Sequence, residues 1–290
     1  MRLILTGASS FVGAHLATLA ASRHEVIGLA HQAKLQIPGV RTLQLDLSDP
    51  ASLAPLRALR ADAVLHLACK VMGSGGANGA PTALLNRQMM DRVLALELPV
   101  LYASSTCVHW PRDTGYARSR REDELRLALS GLPFATLRPC APYGPPLATH
   151  QPRHKESFHS LVAMVRRWPV VPMLGDGRAL RQPIHVADFA EAALRLLEVG
   201  LPNRALDAGG PEALSFREIV GELGRQLGRP ARLLPVPVRL IAKMARFNPN
   251  MEPELLLAGA CDDTADPAEL SAVTGLRPRP FAEGARDLIG

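Results

Sequence analysis

Tyr116 and Arg120 open the stretch Tyr116-Ala-Arg-Ser-Arg120, and Ser105 ends a short apolar run upstream of it. On a helix, side chains four apart share a face. A cation held beside a phenol favours the phenolate, which makes a tyrosine a usable acid or base near neutral pH. Ser105, reaching in from a neighbouring strand end, would bond the same substrate oxygen. Taken alone, a tyrosine and an arginine at this spacing describe an ordinary helix-surface pair. The chemistry therefore depends on what the rest of the chain brings to them.

A second chemical signal lies at the start of the chain. Arg2 to Leu5 is a short apolar run, broken at Thr6-Gly7, and helical apolar spacing resumes at Phe11, Val12, Leu16 and Leu19. That predicts a strand, a tight turn and a helix whose N-terminus faces back over the turn. Free N–H groups and the helix dipole favour a phosphate there. The spacing is Gly7-x-x-Ser10-x-x-Gly13, with serine where the usual dinucleotide fingerprint has its middle glycine. A βα turn without a ligand is the plainer reading of the same residues.

The elements around these residues alternate. Strands are predicted over 24–30, 40–45, 62–68, 99–103 and 132–139, with helices over 86–96 and from Tyr116 onward. This is the signature of a doubly wound parallel α/β sheet of the Rossmann type. The strand over 24–30 ends at Ala30-His31, where NAD-binding units usually carry an acidic residue. With no carboxylate to repel a 2′-phosphate, and His31 able to contact one, the cofactor is NADP or NAD with NADP slightly favoured. Asp46 either accepts from an adenine amino group or caps the turn Ser48-Asp49-Pro50. The loop Met72–Gly79 and the run Ser104-Ser105-Thr106 fall at the carboxyl edge of the sheet, where ligands of open α/β sheets bind.

From about Leu147 the texture changes to short elements punctuated by proline. Helices are expected over 158–167 and 188–199 and from the Ser215 cap to Leu227, with a last one near 281–288. Strands are expected over 183–186 and 205–208. The domain reading is residues 1–146 as the dinucleotide-binding unit, rejoined by segments near 178–210, and 147–290 as mainly a smaller C-terminal substrate lobe.

Composition bounds the function. The 290 residues are 47% hydrophobic with a net charge of +6, and Lys34, Lys70, Lys155 and Lys243 are the only lysines. Arginine carries the rest of the positive charge, without a basic run interleaved with aromatics, so nucleic-acid binding is not expected. No apolar run approaches the roughly 20 residues that span a bilayer. No cleavable leader is read at the N-terminus, and the cytoplasm is the expected location. Cys69, Cys107, Cys140 and Cys261 form no C-x-x-C pair and read as reduced, mostly buried thiols. The loose His150, His154, His159 series lacks metal-ligand spacing, and no metal is expected.

In this order and at these separations, the motifs resemble the extended short-chain dehydrogenase/reductase superfamily, the NAD(P)-dependent epimerase/dehydratase group. They run through Thr6-Gly-Ala-Ser-Ser-Phe-Val-Gly13, Asp46-Leu47, His66-Leu-Ala68, Asn86, Ala103-Ser-Ser105, Tyr116-x-x-x-Arg120, Leu137-Arg-Pro139, Tyr143-Gly-Pro145, Gly175-Asp-Gly177, His185-Val-Ala-Asp188 and Asp207-Ala-Gly-Gly210. The resemblance implies a catalytic set of Ser105, Tyr116 and Arg120. The tyrosine moves the substrate hydroxyl proton, the serine orients the oxygen, and the cation bonds the nicotinamide ribose. It places the cofactor across Gly7, Ser10, Phe11, Val12, Gly13, Asp46, Leu47, Leu67 and Ala68, with Pro139 near the nicotinamide. Asn86, Thr106 and Arg181 are the implied substrate contacts, Arg181 at a common phosphate-binding position of nucleotide-sugar enzymes. Family members are often homodimers.

Three departures stand out. Arg120 replaces the family lysine and is not interchangeable with it at a tight contact. Ser10 replaces a glycine, and His109-Trp110 replace the usual tyrosine-glycine pair after the serine strand. The expected activity is epimerase, dehydratase or reductase chemistry on a hydroxyl or keto group of a sugar-like, nucleotide-linked small molecule. The alternative is a degenerate member that binds the dinucleotide without chemistry.

Overall fold

The computed structural model describes residues 1–31, 35–70, 80–111, 113–147, 157–239 and 260–290. The loop Met72–Gly79, His150, His154 and the prolines at 249 and 253 lie outside them. The central sheet is built from β1 (Arg2–Thr6), β2 (Glu25–Ala30), β3 (Val40–Gln44), β4 (Ala63–His66), β5 (Val100–Ala103), β6 (Phe134–Pro139) and β9 (Arg204–Ala208). Its seven strands are parallel and ordered β3-β2-β1-β4-β5-β6-β9. The order reverses between β1 and β4, and a ligand crevice opens at the carboxyl ends of strands at such a point.

Strand alternation divides the core into two layers. Leu3, Leu5, Val26 and Ala30 face one side, where α1 (Phe11–Ala21) and α6 (Val186–Val199) pack together. Ile4, Ile27, Leu29, Val64 and Tyr102 face the other, over α2 (Leu53–Ala58), α3 (Ala80–Leu94) and α4 (Gly115–Ala128). Burial on both faces is why these strands read as nearly continuous apolar runs.

The later chain forms α5 (Ser157–Arg167), β7 (Val170–Leu174), β8 (Leu180–Arg181), β10 (Leu214–Ser215), α7 (Phe216–Gln226) and β11 (Arg232–Val236). Two more helices follow, α8 (Ala268–Thr274) and α9 (Phe281–Ile289). A separate cluster of Tyr143, Phe158, Val162, Ile219, Leu223, Phe281 and Leu288 holds this lobe together. The strand expected over 183–186 does not form. Pro183 has no N–H to donate, and the segment makes one isolated bridge, Tyr143 to His185. His185 instead starts α6, its Nδ1 accepting from the Ala187 amide. No helix among the described residues is long and apolar enough to cross a membrane.

Candidate active site

The turn after β1 is tight because two positions exclude any side chain. Gly7 has φ +68, and a Cβ there would lie 2.6 Å from the Ala68 nitrogen. A Cβ on Gly13 would lie 2.1 Å from the Gly7 carbonyl oxygen. The turn is thus pressed onto the end of β4, beside Leu67 and Ala68, where the strand order reverses. Ser10 takes up a different task from the glycine it replaces: its Oγ caps α1 by accepting from the Gly13 amide at 3.0 Å. The Ala14 amide goes to the Ser10 carbonyl. Phe11 and Val12 lie in the first turn, whose amides have no earlier helical carbonyl to meet and are the natural donors to a phosphate.

Thr6 ties β1 to β4 beneath this turn. Its Oγ1 accepts from the Leu67 and Ala68 amides at 3.1 and 3.0 Å. Its proton then goes to Nδ1 of His66, 2.8 Å away, which leaves the histidine proton on Nε2. His66 stacks on Tyr102 with ring centroids 5.5 Å apart. Burial, with help from Arg120, pushes the imidazole pKa down to about 3.

Ser105 and Tyr116 meet at the carboxyl edge of β5. Ser105 Oγ accepts from the Cys107 amide at 3.2 Å, which leaves its own proton for the Tyr116 phenol and the Cys107 thiol beside it. The Thr114 hydroxyl caps α4 by accepting from the Ala117 amide, which starts the helix just before Tyr116. Arg120 lies one turn on, its guanidinium carbon 5.2 Å from the centre of the Tyr116 ring. The expected sharing of a helix face is present. The expected lowering of the phenol pKa is not the net result. Burial raises it, while Arg120 and the Ser105 hydroxyl pull the other way.

Arg120 is 2% exposed. Its Nη1 donates to the Tyr102 hydroxyl at 2.5 Å, and Tyr102 donates on to Asp123 at 3.1 Å. Nε and Nη2 have no hydrogen-bond partner among the described residues. Tyr102 and Asp123 were not singled out by the sequence. Their signals were an acidic residue three after Arg120 on one helix and a tyrosine two before the serine pair.

The remaining expected residues divide. Pro139 ends β6, and its carbonyl accepts from the Thr106 hydroxyl at 3.4 Å, so Thr106 is buried against the sheet. Leu47 is buried beside β2 in the same core layer as Ile27 and Leu29. Asp46 accepts from both the amide and hydroxyl of Ser48, at 2.9 and 2.6 Å, so it caps the turn. Its other oxygen lies 3.6 Å from His31 Nε2. A carboxylate therefore does stand at the end of β2, supplied by the neighbouring strand. The sequence reading that favoured NADP rested on there being no carboxylate beside His31.

Asn86 is not free for a substrate. Its Oδ1 accepts from the Lys70 amide, and its Nδ2 donates to the Lys70 carbonyl and the Ser119 hydroxyl. Arg181 is held on the Leu180 and Cys261 carbonyls at 2.7 and 2.6 Å. His109, expected at the pocket wall, turns to Asp207 at 3.0 Å. Arg138 joins Asp207 to Glu124 of α4, completing a polar quartet from four segments. Among the described residues no group of three or more His, Cys, Asp or Glu side chains could hold a metal ion.

A parallel sheet with this turn at its switch point defines a dinucleotide-binding α/β protein. Residues 3–209 match the NAD dependent epimerase/dehydratase family, and the chain belongs to it. It is 26% identical to the dTDP-4-dehydro-6-deoxy-D-allose reductase of a Streptomyces species, over 84% of this chain and 87% of that protein. It is 31% identical to the (4-alkanoyl-5-oxo-2,5-dihydrofuran-3-yl)methyl phosphate reductase of Streptomyces griseus, over 57% of each. The UDP-glucose 4-epimerase of Thermus thermophilus, solved with NAD, has the same fold. Its TM-score is 0.77 at 21% identity, covering 100% of this chain and 98% of that one.

Proposed function

We propose that the protein is an NAD(P)-dependent epimerase, dehydratase or reductase acting on a hydroxyl or keto group of a sugar-like, nucleotide-linked substrate. The observation that carries this reading is Tyr116, set between the Ser105 hydroxyl and the Arg120 cation. Pro139 at the end of β6 would lie beside a bound nicotinamide, which would supply the hydride donor or acceptor. Tyr116 holds the proton of the reacting oxygen, giving it when a carbonyl is reduced and taking it when an alcohol is oxidised. Ser105 donates to that oxygen and fixes its position. The guanidinium stabilises the phenolate, and its unpartnered Nε and Nη2 edge suits the hydroxyls of the nicotinamide ribose. Asp46 beside His31 brings negative charge to the adenosine ribose edge, which favours NAD over NADP in this reading. Residues 1–146, with the segments near 178–210, hold the cofactor, and the rest of 147–290 closes over the substrate. Leu84 on α3, with Leu125 and Leu129 at the end of α4, stands exposed, which supports a homodimer through these helices.

A catalytically silent dinucleotide binder is the second reading. It is favoured by the diversion of Arg120 Nη1 to Tyr102 and by the raised phenol of Tyr116. Tyr116→Phe separates the two, since an enzyme loses hydride transfer while keeping nucleotide affinity and a silent binder has no turnover to lose. Purifying the protein without added cofactor, denaturing it and identifying any released nucleotide then sorts the enzyme classes. Near-stoichiometric NAD(H) supports an epimerase or dehydratase that regenerates its cofactor. An empty protein that binds NADH or NADPH in titration supports a reductase. An empty protein that binds neither overturns the reading.

A further inference from the structure

The lysine of the family leaves a small point charge beside the tyrosine, whereas Arg120 is longer, planar and almost wholly buried. A buried guanidinium needs both hydrogen-bond acceptors and a counter-charge. Here both come from one side. Tyr102, on β5, accepts from Nη1, and Asp123, three residues along α4, accepts from Tyr102. Asp123 is itself 2% exposed, so its carboxylate is not a surface charge that happens to lie nearby. The Tyr102 hydroxyl has a single proton, and it is spent on Asp123, so its lone pairs are left for Arg120.

We propose that Tyr102 and Asp123 are positioning residues that adapt this site to an arginine, gripping one edge of Arg120 so that its charge stays against Tyr116. This rests on the reading of Tyr116 and Arg120 as the acid/base pair. The grip leaves the Nε and Nη2 edge unspent within the protein. Asp123 balances part of the Arg120 charge, which keeps the buried group from carrying a full unpaired cation. The other titratable groups around the pair are the thiols of Cys69 and Cys107 and the neutral imidazole of His66. Of these the Cys69 sulfur also bonds the Arg120 guanidinium, while the Tyr102 hydroxyl is the oxygen acceptor on Nη1.

The test needs no substrate and no turnover. The chain has three tyrosines, so replacing them biosynthetically with a fluorinated, more acidic tyrosine gives three resolvable 19F signals. The Tyr116 signal is assigned by Tyr116→Phe and titrated with pH, and the Tyr143 signal reports that the fold is intact. Tyr102→Phe should raise the Tyr116 midpoint by about one pH unit, roughly a tenfold loss of phenolate at fixed pH. In an Arg120→Lys background the same substitution should move it by less than about a quarter of that, because an ammonium does not need the grip. Equal shifts in both backgrounds, or none in either, overturn the proposal. Should Tyr102→Phe fail to fold, Asp123→Asn carries the test, since it keeps an acceptor and removes the counter-charge. The Tyr116 midpoint should then fall by about half a unit, and an unchanged midpoint overturns the proposal. Loss of epimerase or reductase activity plays no part, so this result stands apart from the fate of the functional reading.

Discussion

The Thr6 hydroxyl donates to Nδ1 of His66 at 2.8 Å, linking the two strands on either side of the switch point through a neutral, buried imidazole. The folded pKa of about 3 lies below the ordinary 6.5, so between those values the unfolded chain binds a proton that the native state refuses. Stability contributed by neutral His66 is full above about pH 6.5 and drains away as pH falls towards 3. The expected slope in that window is about 1.4 kcal/mol per pH unit from this group. His66→Asn keeps an acceptor for Thr6 and removes the titration. Urea unfolding from pH 7 to 4.5 should show a shallower decline in the variant, and parallel declines would refute the assignment.

Tyr116→Phe removes the proton carrier and little volume. Hydride transfer to or from a substrate should drop by about 10²–10⁴-fold, while NAD affinity stays within a few fold. A variant that retains half of the wild-type rate would show that the phenol is not the acid/base.

Gly7→Ala tests the tight turn. A methyl group would sit 2.6 Å from the Ala68 nitrogen, on backbone that cannot swing aside, at a φ of +68. The expected cost is about 2–4 kcal/mol in denaturant unfolding, with NAD binding weakened beyond detection. Binding that survives at wild-type affinity would place the phosphates elsewhere.

In the proposed function the His31 and Asp46 pair sets a charge-dependent preference between the two cofactors. Asp46→Asn should improve NADP(H) relative to NAD(H) by about tenfold at low salt, and less at high salt as screening grows. Calorimetric titration with both cofactors at two salt concentrations would reveal an unchanged ratio if the pair does not face the ribose.

Asn86→Ala should act on stability rather than on substrate selection. It leaves the half-buried Lys70 amide and the buried Ser119 hydroxyl short of a partner, at a cost of about 1–3 kcal/mol. A raised KM with unaltered unfolding would restore Asn86 to the substrate site.

Much of this was legible because the signals were local. The β–α alternation, the turn at Gly7 and the helical face shared by Tyr116 and Arg120 each depend on residues within a few positions of one another. What escaped was the meeting of side chains from separate elements. No spacing says that Tyr102 of β5 will take the Arg120 guanidinium, whereas the capping of the turn at Ser48 by Asp46 was one of the two roles its local sequence offered. The segment 183–186 misled for a different reason. Its apolar residues at 184 and 186 are buried as a strand's would be, but its backbone bonds go to Cys140 and Tyr143 at a single crossing. The smaller lobe was hardest, since its short elements are held by a cluster that draws on Tyr143, Phe158, Ile219 and Phe281 together.

The quartet of His109, Glu124, Arg138 and Asp207 has a consequence for how the protein is made. Its members come from the turn after Ser105, from α4, from β6 and from β9, so the clamp closes only when residue 207 has left the ribosome and β9 has docked beside β6. Contacts of such wide sequence separation are entropically slow to form. The loop that carries Ser105 is therefore a late product of folding, ordered after the glycine turn that follows β1. Pulse-labelled hydrogen exchange during refolding should protect the amides of β1 and β2 before those around His109.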